Sequence, residues 1–101
     1  MRGLSLRAPI AVPVEIRAES RRVFRLAADV GEDGVALDRP APFEPGRPVE
    51  TRFTLPDGSG DPLALRAELV AEGRGLRFVD APPSVRAVLR RYVHGRLGLP
   101  A

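Results

Sequence analysis

Six residues, Asp29-Val30-Gly31-Glu32-Asp33-Gly34, combine the side chains and the spacing best suited to binding chemistry. The glycines shape a tight turn whose backbone N–H groups can face an anion, whereas its three carboxylates repel one. The chain carries 16 basic residues, all of them arginine. Their planar forks of donors suit phosphate and the guanine edge. Arginines recur four apart at Arg17/Arg21, Arg21/Arg25 and Arg86/Arg90. The first two pairs read as the solvated rim of a hairpin. Arg86 and Arg90 read as neighbours one turn apart on the exposed side of a helix, able to pair with a carboxylate of the domain body or with a partner.

Catalysis finds less support. The chain has no cysteine and a single histidine, His94, so thiolate chemistry and a histidine-built metal site are both absent from expectation. His94 sits near the end of the C-terminal helix, where the helix dipole favours it without any catalytic role. The serines, Ser5, Ser20, Ser59 and Ser84, fall in turns or flanks, with no nucleophile-elbow context. The residues predict a binding domain, not an enzyme, with no metal and no resident cofactor.

At 101 residues, with 44% hydrophobic and 29% charged side chains, the chain is expected to form one globular domain over 1–101, its core at about 7–96. The net charge of +3 is modest and dispersed, and aromatic residues are few, which disfavours a nucleic acid polymer as partner. No apolar run approaches the roughly 18 residues that a bilayer crossing requires. The start, Met1-Arg2-Gly3-Leu4-Ser5-Leu6-Arg7, lacks the sustained apolar segment of a signal peptide. The expectation is a cytoplasmic protein without membrane insertion.

The elements that must position the turn are short strands. Ile10, Val12, Val14 and Ile16 alternate with polar or small residues, and Pro9 and Pro13 place this strand at an edge or at irregular pairing positions. Ala18–Arg22 reads as the connecting turn. A second alternation runs through Phe24, Leu26, Ala28 and Val30, and Val35 with Leu37 begins a third strand. Prolines at 40, 42 and 45 break the chain around Phe43, an apolar plug for a barrel end. Val49, Thr51, Phe53 and Leu55 share one face of a fourth strand, and Pro56–Gly60 is a turn. Leu63, Leu65, Ala67 and Leu69 form a fifth strand, and Leu76 with Phe78 a sixth. Without a crossover helix these strands must pair antiparallel, and curling into a barrel gives each a buried face. From Pro82-Pro83-Ser84 to Gly98 the period changes to that of a helix, with Val85, Val88, Leu89, Tyr92 and Val93 on the face that covers the barrel.

Taken in order, these elements resemble the PilZ domain, an all-β, six-stranded antiparallel barrel with a C-terminal α-helix that in many bacteria receives cyclic di-GMP. Arg7-Ala8-Pro9-Ile10-Ala11-Val12-Pro13-Val14 is similar to the passage from the family's arginine motif into its first strand. Asp29 to Gly34 stands where the family has Asp or Asn, then Ser two residues later, then Gly three further on. Gly75-Leu76-Arg77-Phe78 resembles the late Gly-x-x-Phe strand, and Val88 to Val93 the closing helix.

The resemblance implies a ligand set of Arg2, Arg7, Asp29, Gly31 and Gly34 for cyclic di-GMP. Ligand-binding members carry two arginines with three residues between them. Arg7 matches the second, Gly3 stands at the first, and Arg2 is one residue out of register. Gly31 replaces the serine. A bidentate arginine contact carries roughly 1–3 kcal/mol, or about one to two decades of affinity, and a lost hydroxyl bond about 1 kcal/mol more. The expectation is therefore an adaptor that acts through an unidentified protein partner, as in pilus assembly, motility or surface regulation, with weak or absent cyclic di-GMP binding. The alternative is a receptor using Arg7 and the Asp29–Gly34 turn. A third reading is a binding unit for another anion or nucleic acid. Convergence of Arg2 and Arg7 beside the turn favours the receptor, and Arg7 paired with a barrel carboxylate together with a disordered Arg2 favours the adaptor. An adaptor should also present an apolar or arginine-edged patch on its exterior. The residues of the 29–34 turn admit a purely structural role too, with Gly31 and Gly34 at positive φ and Asp29 capping backbone N–H groups.

Overall fold

The computed structural model describes residues 6–57 and 60–100. Six antiparallel strands close into a barrel in the order β1-β2-β3-β6-β5-β4. They are β1 (Ala8–Ala18), β2 (Arg21–Val30), β3 (Gly34–Leu37), β4 (Pro48–Phe53), β5 (Leu63–Val70) and β6 (Gly75–Phe78), followed by helix α1 (Pro83–Leu97). Closure gives every strand a hydrogen-bonded neighbour on both sides over part of its length. A short 3₁₀ turn at Ala71–Gly73 joins β5 to β6.

The alternation of β1 is kept along its whole length, so Ala8, Ile10, Val12, Val14, Ile16 and Ala18 all enter the core. This strand is not an edge, because it pairs with β2 on one side and β4 on the other. Its prolines are tolerated because β4 pairs only with Glu15–Arg17, and the pairing with β2 is irregular between Pro9 and Val12. The β1–β2 connection is tighter than the expected Ala18–Arg22 turn. Only Glu19 and Ser20 lie outside the strands, and Glu19 adopts φ 56°, in the half of φ space that two-residue hairpins require.

The second alternation does not lie on one face. A register shift between Ala27 and Asp29 places an extra residue in β2 relative to β3, so Ala27 and Val30 are both buried while Phe24, Leu26 and Ala28 turn outward. In β4, Val49, Thr51 and Phe53 point inward as expected, and the buried Thr51 hydroxyl donates to the Leu65 carbonyl at 2.8 Å. Phe53 stacks on Phe78 of β6, with ring centroids 6.2 Å apart. Phe43 is half-buried against the core, beneath the Arg21 guanidinium.

Helix α1 begins with Pro83 at its first turn and ends at Gly98, whose φ of 72° terminates it. Leu89, Tyr92 and Val93 join the barrel core, whereas Val88 lies at the exposed margin of the apolar face. The helix rests against β1. Part of the Pro56–Gly60 turn, at Gly58 and Ser59, lies outside the described residues, as does Arg2.

Candidate functional site

The β2–β3 turn is built by close approach, not by unusual backbone angles. Neither Gly31 nor Gly34 has positive φ, contrary to the expectation for a glycine hairpin. Gly34 begins β3 directly opposite β6, and a Cβ there would meet the Leu76 carbonyl oxygen at 2.0 Å. Gly31 lies under the N-terminal segment, where a Cβ would sit 2.9 Å from the Leu6 carbonyl oxygen and 3.3 Å from Arg7 Nη1. The serine of the resembled motif would therefore collide with the chain that crosses this turn. The turn closes through the Gly31 N–H, which donates to the Gly34 carbonyl at 2.9 Å and so does not face outward for an anion. The Phe78 N–H donates to the Asp33 carbonyl at 2.8 Å, tying the turn to β6.

Arg7 enters just before β1 and lies across this turn. Its Nε donates to Asp29 Oδ1 at 2.6 Å, Nη1 to Asp33 Oδ1 at 3.1 Å, and Nη2 to the Gly34 carbonyl at 3.3 Å. Asp29 thus serves Arg7 instead of capping the turn backbone. The third carboxylate, Glu32, turns the other way and receives Arg90 of α1 in a fork, with Nε 2.9 Å and Nη2 3.0 Å from its two oxygens. Arg86, one turn earlier, stands 3.6 Å from the same carboxylate. The hydrogen bond from Arg90 holds the Glu32 carboxyl below its ordinary pKa against the opposing effect of burial, with further help from the charges of Arg90 and Arg86. The same pair raises Arg90.

The three carboxylates of the turn thus meet three arginines, Arg7, Arg86 and Arg90. This answers the conflict apparent in the sequence, because the acidic residues organise the protein's own cations. The expected partner of Arg86 and Arg90 on the domain body is Glu32. Sequence reasoning missed Asp33 as a partner of Arg7, and it missed two arginines across a shallow cleft. That cleft, about 470 Å³, is lined by Arg7, Asp33, Gly34, Ala36, Arg74 and Arg77. The available signal was the position of Arg74 and Arg77 on either side of Gly75-Leu76. Arg77 is ion-paired to Glu68 of β5. Among the described residues no cluster of carboxylates and imidazole could hold a metal ion, and no helix is long and apolar enough to cross a membrane.

The order of strands, the capping helix and the Arg7–Asp29 contact coincide with a match to the PilZ domain over residues 2–95. The chain belongs to the PilZ domain family. PilZ domains are non-catalytic receptors and adaptors, in keeping with a site of arginines and carboxylates. The fold is also similar to that of the Bacillus subtilis inhibitor of motility, MotI/DgrA, with a TM-score of 0.79 at 17% identity. That alignment covers 96% of this PilZ chain and 52% of the other, so the chain spans about half the length of the solved protein. No curated protein matches the sequence.

Proposed function

We propose that this PilZ domain is an adaptor that works by protein–protein contact and binds cyclic di-GMP weakly or not at all. The observation that carries the reading is the state of Arg7. All three of its guanidinium nitrogens are engaged by Asp29, Asp33 and the Gly34 carbonyl. A phosphate or guanine would have to displace these bonds before gaining its own, and it would do so beside two carboxylates. Gly3 at the first arginine position and the crowded Gly31 support the same reading. In this scheme the turn fastens the N-terminal segment to the barrel and the barrel to α1.

Calorimetric titration of cyclic di-GMP into the protein tests this. The expected result is no saturable heat up to roughly 100 µM ligand, for the wild type and for Arg7→Ala, with circular dichroism verifying that both are folded. Saturable micromolar binding that Arg7→Ala abolishes would refute the adaptor reading and establish a receptor. The receptor reading draws on one observation, that Arg7, Asp29 and Gly34 do meet at one place, beside a cleft that also presents Arg74. The likeness in fold to an inhibitor of motility makes swimming behaviour the first phenotype to measure in a deletion strain.

A further inference from the structure

The outward face of β2, β1, β4 and β5 has a composition that the barrel itself does not explain. The register shift in β2 leaves Phe24 and Leu26 exposed at 55% and 44%. Opposite them on β1 stand Glu15 and Pro13. One step along, Arg22 lies directly across from Arg17, a like-charge pair that disfavours the sheet. Two more arginines continue this face, Arg52 of β4 beside Glu15 and Arg66 of β5 beside Glu50. Arg17, Arg52 and Arg66 have no hydrogen-bond or ion-pair partner among the described residues, and Arg22 is only 3.8 Å from Glu15. The arginines that contact the 29–34 turn are paired, whereas the outward face of β1, β2, β4 and β5 carries four arginines, Arg17, Arg22, Arg52 and Arg66, against two carboxylates, Glu15 and Glu50, around the exposed Phe24 and Leu26.

We infer that this face is the docking surface for an acidic protein segment carrying apolar side chains, which would seat on Phe24, Leu26 and Pro13 with its carboxylates on Arg17, Arg22 and Arg52. Charge complementarity selects this occupant. A second copy of the chain would bring the same excess of arginines against itself. A nucleic acid would need a denser arginine stripe and more aromatic side chains to stack on than this face presents. Recognition through side chains is the mode this face offers, because Phe24, Leu26 and the arginines project outward from strands that pair with one another across it. The inference rests on the adaptor reading but concerns a different face. Cyclic di-GMP binding at Arg7 would end that reading without moving these residues, and silence here would leave Arg7 untouched.

The test is a titration of the ¹⁵N-labelled chain with three probes. These are a peptide alternating Glu with Leu and Phe, the same peptide with Gln for Glu, and a single-stranded oligonucleotide. The expected result is saturable shifts confined to amides of residues 13–17, 22–26 and 50–52. Binding should be about tenfold or more weaker for the Gln peptide and for Arg17→Glu/Arg22→Glu, and lost in Phe24→Ser/Leu26→Ser. Both double variants change outward-facing side chains, and their amide spectra verify folding. Absent shifts, shifts centred elsewhere, equal binding of the Gln peptide, tighter binding of the oligonucleotide, or dimerisation through Phe24 would each overturn the inference.

Discussion

Replacing Gly34 by alanine separates a packing glycine from a ligand glycine. The added Cβ would lie 2.0 Å from the Leu76 carbonyl oxygen, about 1 Å inside the closest approach that real Cβ atoms make. The obstacle is backbone, so β3 and β6 must part. Their ladder joins Gly34, Val35 and Ala36 to Arg77, Leu76 and Gly75. A parting of about 1 Å stretches bonds of about 2.9 Å beyond the hydrogen-bonding range. Losing two or three of them, at about 1 kcal/mol each, costs roughly 2–3 kcal/mol before Val35 and Leu76 loosen in the core. For a domain of this size that lowers Tm by roughly 10–20 °C. The assay is thermal and urea unfolding followed by circular dichroism without any nucleotide. Gly95→Ala is the control, because a Cβ there meets nothing within 4 Å and the residue lies inside α1. It should gain about 0.5–1 kcal/mol. A Gly34→Ala protein melting within about 3 °C of the wild type would refute the close-approach account.

Leu89→Ala removes a fully buried side chain at the helix–barrel contact and should cost about 2–5 kcal/mol by urea unfolding. The Glu32 link between turn and helix has a defined pH dependence. Its folded pKa is depressed, so its contribution is present above the ordinary carboxylate range and is lost as pH falls through the folded value, below 4.5. Carboxyl NMR titration of Glu32 should show the low midpoint, and Arg90→Ala should return it toward the ordinary range. The Arg7 clamp is half-exposed, and a double-mutant cycle of Arg7→Ala with Asp29→Ala should give a coupling of about 0.5–1 kcal/mol that salt weakens.

Strand positions were legible wherever one face alone is buried, as in β1, β4 and β5, because a period of two leaves no other arrangement. The helix was legible from its proline start, its glycine stop and the spacing of Leu89, Tyr92 and Val93. What misled was the alternation of β2. Phe24 and Leu26 are apolar enough to read as core, and a bulge has no composition signature that would have reversed them. The turn was found but its glycines were misread. Whether a glycine serves φ or close approach depends on what lies opposite, and Leu76 and Leu6 are remote in sequence from Gly34 and Gly31. The ion pairs of Arg7 and Arg90 span 22 and 58 residues, so no local spacing announces them.

The pairing of residues 34–36 with 75–77 also orders the events of synthesis. The segments 8–30 and 48–70 each contain a strand pair that folds from nearby contacts. Until Gly75–Phe78 has emerged, β3 has no second neighbour and shows an open row of backbone groups to other nascent chains. The last strand is therefore the one that gives β3 its second neighbour.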